Sequence, residues 1–301
     1  MGDRRSVVLI IALVAVLAFS SSAFAQNGWI WFDQSQVKQK QQQDQKTPPG
    51  PAPVHDLTGM WAVMGDGVQA GGVQAVPNDG KPQHQLPYTT YGLQLYKSHK
   101  PLEGFDAVDP GKENDPREAC DPLGVPHVNH YQVRQTQIFQ DNVKVVILYQ
   151  FDNRWRLIWT DGRELPKLVD GGVQIGKEVR EQRFYGYSVG KWTDNNTLVA
   201  QTIGGMPEDR VWLDSTGRPI SDQILTTETW HRVDANTLEV SETINDPKLY
   251  TKPWATLNKL QMKLLDPRTD VMEFYCSPVE RARYNQLTDG PDPNAKAPAK
   301  K

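Results

Sequence analysis

One short phrase occurs twice in this chain, forty positions apart, and it constrains the fold more than any other feature. Residues 192–199 read W-T-D-N-N-T-L-V, and residues 232–239 read R-V-D-A-N-T-L-E. Asp and Asn suit a tight turn because their side chains bond the nearby backbone and both tolerate left-handed dihedral angles. The flanking segments alternate apolar and polar residues, which is the period of a strand with one buried face. We therefore predict two β-hairpins within an antiparallel sheet.

The same alternation recurs along most of the chain. Helices long enough to cover a parallel sheet are not predicted, which argues against doubly wound α/β folds. Closing an antiparallel sheet into a ring removes its edges. We therefore predict an all-β fold, an antiparallel up-and-down β-barrel of about 8–10 strands, with long N-terminal loops and one short helix within residues 87–100. A β-sandwich is the alternative. The predicted strands are residues 57–63, 133–140, 143–150, 155–160, 181–192, 197–203, 224–233, 238–244, 256–265 and 271–276.

The composition divides the chain into four parts. Residues 1–25 have the basic start, apolar run and small-x-small end of a secretory signal peptide. Residues 26–53 are rich in Gln and then Pro, which predicts a linker. Residues 54–288 form the predicted barrel domain, and residues 289–301 a disordered tail. The apolar run is too short to span a bilayer, so we expect an exported protein, periplasmic or extracellular, with no stable membrane insertion after cleavage.

A compact apolar segment follows the predicted cleavage site and consists of Trp29, Ile30, Trp31 and Phe32. This segment either folds back onto the barrel or contacts a partner protein, and a surface-assembly function built on it is a further option. The formal net charge is -3 and no basic stripe occurs, so we expect no nucleic-acid partner.

The chain has two cysteines, Cys120 and Cys276. In an oxidising compartment an even count predicts a disulfide, and this one would close a loop that spans much of the barrel domain. A catalytic thiol is the rival interpretation, although no Cys–His arrangement of recognisable spacing accompanies it.

Several phrases resemble those of a known protein family. Residues 185–192 read Y-G-Y-S-V-G-K-W, residues 197–199 T-L-V, residues 120–126 C-D-P-L-G-V-P and residues 245–254 N-D-P-K-L-Y-T-K-P-W. Their order and spacing resemble a large family of exported bacterial proteins to which no activity is attached. The resemblance covers about residues 55–280 and implies a calycin-like barrel, related in shape to lipocalins. The family has a His where this chain has Tyr187 and another where it has Ile220, which weakens any enzymatic function inherited through those imidazoles.

Charged groups at two places are candidates for a site. Asp161 and Arg163 flank a glycine at a strand end, where the guanidinium could hold an anion or brace the turn. Glu228 shares a strand face with Trp230, and loss of water there would raise its pKa for acid–base chemistry. A structural ion pair between Glu228 and Arg163 or Arg232 is the alternative. The predicted ligand contacts are Arg163, Tyr185, Tyr187, Asp214, Glu228, Trp230, Tyr250 and Trp254.

Two motif matches carry little weight. Ser188 lies in a G-x-S-x-G string, but the surrounding pattern predicts a strand and not the strand–turn–helix of a nucleophile elbow. His127 and His130 have a spacing that suits metal binding only on a helix, and Pro126 makes a helix start uncertain, so we expect no metal.

We therefore expect a binding module that holds a small, partly apolar ligand, with an anionic group as one option, in the interior or mouth of the barrel. The alternative is a metal-independent lyase, isomerase or hydrolase. Its acid–base residues would come from Asp161, Tyr187, Ser221 and Glu228, brought together in one cleft. No cofactor is expected for either function.

Overall fold

The structure is a computed structural model and describes residues 34–63, 74–131, 135–169 and 180–279. The predicted signal peptide, the apolar segment of residues 29–32 and the predicted tail lie outside these residues. The described part contains nine strands and three α-helices. The strands are β1 Gly59–Val63, β2 Thr136–Gln140, β3 Lys144–Tyr149, β4 Arg154–Trp159, β5 Tyr187–Trp192, β6 Thr197–Ile203, β7 Leu225–Arg232, β8 Thr237–Asn245 and β9 Trp254–Leu264, and the helices are α1 Gln34–Lys46, α2 Thr90–Ser98 and α3 His127–His130.

The nine strands form a closed ring in chain order, in which β9 pairs with β1. All neighbouring strands are antiparallel except β4 and β5, which are parallel. The predicted all-β barrel is thus confirmed, and the sandwich alternative is wrong. A ring closes every backbone ladder, so the sheet has no free edge.

Two details of the ring differ from the prediction. Residues 271–276 are not a strand. The backbone N–H groups of Phe274 and Cys276 instead donate to the side chains of Asn153 and Asp152, in the β3–β4 turn. Without this tenth predicted strand, the ring has nine strands, which is an odd number. Because directions cannot alternate all the way around an odd ring, one neighbouring pair must be parallel, and the long connection after β4 places it at β4–β5.

The doubled D-x-N-T phrase forms two hairpin turns, as predicted. Asp194 Oδ1 accepts a hydrogen bond from the backbone N–H of Asn196 at 2.8 Å, and Asp234 Oδ1 accepts the equivalent bond from Asn236 at 2.7 Å. The side-chain carboxylate thus supplies the turn bond in both copies. The first turn joins β5 to β6, and the second joins β7 to β8.

Side chains fill the barrel lumen. Successive strand residues point to opposite faces, so one residue in two of each strand faces inward. Trp61, Ile147 and Trp230 are inward residues with 2% exposure or less. They pack in one apolar cluster with Leu198 and Val240, and α3 inserts Val128 among them. The described lumen is a packed core that also contains charged groups.

Long loops build a cap over the end of the barrel that is opposite the D-x-N-T turns. Residues 74–131 supply most of it, together with the β6–β7 loop and the β8–β9 loop. A second apolar cluster joins these loops and includes Leu213, Ile220 and Leu249. Helix α2 is part of this cap and lies within the segment that was predicted to be helical.

Gly92 explains how α2 can pack so closely on the cap. A Cβ at this position would lie 2.1 Å from the backbone oxygen of Leu249. Glycine lowers helix propensity, and here it permits a backbone contact that any side chain would block. Thr89 caps the helix, since its side chain accepts from the N–H of Gly92.

The segment predicted as a linker contains helix α1, which packs on the barrel. Val37 is 1% exposed and contacts Met60 and Ala62 on β1. Asp44 accepts from Lys263 Nζ at 2.6 Å and from Asn236 Nδ2 at 3.1 Å. A single buried valine in a glutamine-rich helix is too weak a pattern to predict this helix from sequence. Within the described residues, no helix is both long enough and apolar enough to cross a membrane.

The two cysteines form a disulfide, as predicted. Cys120 follows a short 3-10 turn in the cap, and Cys276 lies beyond β9. The bond therefore fastens the cap to the segment that follows the last strand.

Candidate functional site

The structure distributes the predicted site residues over three places: the outer wall, the lumen and the cap. On the outer wall, Arg163 binds both carboxylate oxygens of Asp161 and donates to Tyr187 Oη at 2.9 Å. The guanidinium also lies 3.8 Å from the centre of the Trp159 ring. The hydrogen bonds from Arg163 lower the pKa of Asp161, so this carboxylate stays ionised. These side chains face solvent, and their bonds stabilise the turn that follows β4.

The lumen holds Glu228, which is fully buried on β7. Arg156 Nη1 donates to Glu228 Oε1 at 2.9 Å and Arg156 Nη2 donates to Oε2. Arg156 also reaches Ser188 and Thr202. Glu228 is therefore in a buried ion pair. The sequence predicted such a pair with Arg163 or Arg232, but the partner is Arg156, whose inward position depends on the register of β4.

Two side chains of helix α3, Asn129 and His130, also belong to this polar network. Asn129 Nδ2 donates to Glu228 at 2.7 Å and to Glu242 at 2.9 Å. His130 Nε2 lies 2.9 Å from Glu242 Oε1, and Thr256 donates to the same oxygen. The two histidines of the H-x-x-H string thus lie in a short helix that plugs the lumen. Sequence analysis missed Asn129 and Glu242, because nothing local indicates that positions more than a hundred residues apart share one network.

Tyr185 lies beside the lumen entrance. Its ring stacks on Tyr149 with ring centres 6.1 Å apart. Burial raises the pKa of Tyr185, and burial raises the pKa of Tyr149 to about 12. Both phenols therefore keep their protons at neutral pH.

The cap contains the other predicted residues. Asp214 is fully buried and accepts from Gln74 Nε2, from Thr216 and from Arg218 at 3.4 Å. Arg218 Nη2 donates to the backbone oxygen of Val76 at 2.6 Å. The guanidinium also lies 5.5 Å from the ring centre of Trp254.

Ser221 and Asp246 form a second buried pair in the cap. Ser221 donates its hydroxyl to Asp246 Oδ1 at 2.8 Å and its N–H to Oδ2 at 2.7 Å. Burial raises the pKa of Asp246, and the bonds from Ser221 oppose that rise. The Tyr250 hydroxyl donates to the backbone oxygen of Pro219 at 2.8 Å. These groups hold the β6–β7 loop against the β8–β9 loop.

A cavity of about 500 Å³ opens in the cap beside these residues. Tyr88 forms one wall and stacks on Tyr96 and on Tyr250, with ring centres 5.3 and 5.1 Å apart. Leu93 of α2 and Phe105 supply further apolar surface. Arg218 is 2% exposed and lines the floor. We call this space the cap cavity.

Polar groups in the cap cavity are held in fixed positions. Tyr96 donates to Asp106 Oδ2 at 2.8 Å, and burial raises the pKa of Tyr96 to about 12. His84 Nδ1 lies 2.8 Å from Asp79 Oδ1, and Lys81 binds the other oxygen of Asp79 at 2.9 Å. In the tautomer that donates from Nδ1, His84 Nε2 is a hydrogen-bond acceptor. None of these residues stood out in the sequence. Asp79, Lys81, His84 and Asp106 lie in loop segments, and Tyr96 lies in the predicted helix without any feature that marks a site.

The four acid–base candidates do not share a cleft. Tyr187 and Asp161 face solvent, Glu228 faces the lumen, and Ser221 is buried in the cap. Neighbouring strand residues point to opposite faces, so Tyr187 lies outside the wall while Ser188 lies inside. The ligand contacts that were predicted together are likewise separated, and of them only Asp214, Tyr250 and Trp254 lie close to the cap cavity.

Fold and cavity together define a class: a closed nine-stranded β-barrel with a packed lumen and a cavity in its loop cap. The comparisons with known proteins add no relative, since the chain matches no sequence model of a protein family, no curated protein and no solved structure.

Proposed function

We propose that this protein binds a small ligand in the cap cavity, and that the ligand has an aromatic or apolar body and one anionic group. Ligand cavities in proteins commonly measure about 300–1,000 Å³ and combine apolar walls with a few fixed polar groups. The cap cavity, at about 500 Å³, falls in this range. The barrel serves as the rigid support for the loops.

The observation that carries this proposal is the position of Arg218. Its guanidinium is buried and lines the cavity. Its contact with the Asp214 carboxylate is long, at 3.4 Å. A guanidinium has five N–H donors, and the described bonds of Arg218 are one to Asp214 and one to the backbone oxygen of Val76. A guanidinium that lines a cavity is a preferred partner for a carboxylate or phosphate.

The charges around the cavity support an anionic ligand. Its lining contains three cationic side chains, Arg218, Lys81 and Lys97, and two carboxylates, Asp79 and Asp106. The formal sum of the lining is +1 when His84 is neutral, and it is zero when Asp214, the ion-pair partner of Arg218, is included. A neighbouring cleft on the other side of α2 contains three carboxylates and one lysine, so the two spaces favour ligands of opposite charge. The aromatic wall of Tyr88 and Tyr96 favours a planar ligand body.

We also propose that the protein is exported from the cytoplasm. The signal-like sequence of residues 1–25 and the disulfide between Cys120 and Cys276 support an oxidising compartment. Cell fractionation of the producing bacterium, with the mass of the purified chain, tests it. A chain found in the cytoplasm with residues 1–25 still attached would contradict export.

Ligand binding is tested by titrating three probes of similar size and different charge. Phenylacetate, benzyl alcohol and benzylamine differ mainly in the group offered to Arg218. We expect phenylacetate to bind, with shifts in the NMR signals of residues around the cavity, and the neutral and cationic probes to bind at least about tenfold more weakly. Equal binding of all three would contradict an anion site.

A matched pair of variants locates the binding. Leu93 lines the cavity and Gln94, the next residue on α2, does not. Both side chains are exposed, so neither change disturbs the core. Leu93→Trp fills the cavity and should weaken phenylacetate binding about tenfold or more. Gln94→Trp should leave binding unchanged, and an equal loss in both variants would place the site elsewhere.

A further inference from the structure

The outer face of β2, β3 and β4 is mostly apolar, and Gln137 and Lys144 are its polar members. Residues directly opposite each other on adjacent strands share a face. One row of the outer face aligns Phe139 with Val146 and Val146 with Leu157. The next row aligns Leu148 with Trp155. We call these residues the outer apolar face: Phe139, Val146, Leu148, Trp155, Leu157 and, where β4 ends, Trp159.

This face differs from the rest of the barrel exterior. Trp155 is 60% exposed and Phe139 is 51% exposed. On β7 and β8 the outward residues are polar apart from Leu225 at the start of β7, and the polar ones include Thr227, Thr229, His231, Glu239, Ser241 and Thr243. A single exposed apolar side chain is ordinary, whereas a contiguous patch across three strands marks a contact surface.

Helix α1 lies on the outer wall next to this face. Its C-terminal part contacts the β7–β8 turn and the end of β9, since Asp44 binds Asn236 and Lys263. Its N-terminal part packs on β1 and on the segment after β9, since Val37 clusters with Met60, Ala62, Leu265 and Val271. In the ring, β1 lies between β9 and β2. The N-terminal part of α1 therefore lies on the strand next to β2.

The distances agree with this path. Gln34 begins the described helix, about 4.5 Å along its axis from Val37, which packs on β1. Residues 29–32 precede Gln34 by two to five positions, a further reach of about 7–17 Å, and β1 to β4 span about 14 Å. The segment can thus reach the strands of the face.

We propose that Trp29, Ile30, Trp31 and Phe32 dock on the outer apolar face of the same chain. The segment is apolar, as the face is, and helix α1 begins close enough to the face for the segment to reach it. Docking would remove the aromatic groups of both surfaces from water, with each indole losing on the order of 150–250 Å² of exposed surface. It would also make the N-terminal segment a part of the barrel domain.

Hydroxyl-radical footprinting of the purified protein, expressed with its own leader, tests this proposal. Oxidation of Trp155 and Phe139 is measured by mass spectrometry, with the exposed Tyr275 as the internal reference. We expect both residues to be protected, and Trp29→Ser/Trp31→Ser to raise Trp155 oxidation about fivefold as its area returns to solvent. Oxidation that is equally high in the parent and the variant would overturn the proposal.

A control variant and a dilution series distinguish docking of the aromatic segment from cover by α1 or by a second copy of the chain. Gln42→Ala/Gln43→Ala changes two exposed residues of α1 without removing apolar groups, and it should preserve protection. Loss of protection in this control as well would mean that α1, and not the aromatic segment, covers the face. Protection that disappears on dilution, with a dimer at high concentration by light scattering, would show a second copy on the face and overturn docking within one chain.

Discussion

Arg156 on β4 and Glu228 on β7 form a two-pronged ion pair across the lumen of the barrel. Arg156 Nη1 lies 2.9 Å from Glu228 Oε1, and both side chains are 1% exposed or less. Glu242 lies directly opposite Glu228 on β8, and Asn129 of the plug helix donates to both carboxylates. The pair therefore joins two walls of the barrel and the helix that closes it.

Breaking this pair should destabilise the fold strongly. Glu228→Gln leaves the Arg156 guanidinium buried without its counter-charge, and we expect a loss of about 3–5 kcal/mol in the free energy of unfolding. Arg156→Met/Glu228→Met removes both charges and should lose much less than the sum of the two single Met changes. Urea unfolding of the singles and the double measures the coupling. Strictly additive losses would show that the pair contributes no interaction of its own.

Gly92 should tolerate no side chain. In Gly92→Ala, helix propensity favours the variant by up to about 1 kcal/mol, but the added Cβ meets the Leu249 backbone oxygen. Because backbone must shift, we expect a net destabilisation of about 1–3 kcal/mol. Gln94→Ala, on the exposed side of the same helix, serves as the control and should be neutral or slightly stabilising. Thermal unfolding of both variants decides the matter, and a stabilised Gly92→Ala would show that α2 does not pack this closely.

The disulfide should carry a large part of the stability of the cap. Cys120 and Cys276 are 156 residues apart, and the loop-entropy relation gives about 4–5 kcal/mol for a closed loop of that length. Cys120→Ser/Cys276→Ser should lower the free energy of unfolding by that order, and adding a reductant should have no further effect on this variant. A parent protein whose unfolding curve does not respond to reductant would contradict this expectation.

Asp115 should make stability depend on pH. This carboxyl is 6% exposed, and burial raises its pKa from 3.8 to about 6, although Arg117 opposes the rise. Since the folded-state pKa lies above the unfolded one, its contribution to stability is present below about pH 4 and is lost as pH rises through 6. The loss amounts to roughly 3 kcal/mol.

Asp115→Asn removes this titration and keeps a side-chain acceptor for the Arg117 N–H. Its stability relative to the parent should therefore increase between pH 4 and pH 7. Denaturant unfolding at several pH values measures the difference. Parallel curves for parent and variant would mean that Asp115 ionises in the folded protein as readily as in the unfolded one.

Local patterns account for the parts of the fold that were predicted correctly. The carboxylates of Asp194 and Asp234 make the same turn bond two residues on, a contact that needs no distant partner. Strand alternation is equally local, because each residue faces the opposite side from its neighbour. The pairing of Cys120 with Cys276 followed from their being the only two cysteines.

The candidate site depended on contacts that no local pattern encodes. Arg218 meets Val76 across 142 positions, and Asn78 meets Thr216 across 138. Which loops approach each other depends on ring closure, so the cap cavity could not be placed from the sequence. The register of β5 could not be predicted from the sequence either, and it places Tyr187 on the outer wall.

The sequence by itself therefore determined nine of the ten predicted strands, the two hairpin turns, the barrel class and the disulfide, because most of these rest on neighbouring residues or on simple counting. Only the tertiary structure decided the odd strand number, the parallel pair, the packed lumen and the cavity in the cap. Those features arise where segments far apart in the chain exclude water together, and their free energy belongs to the contact and not to either segment alone.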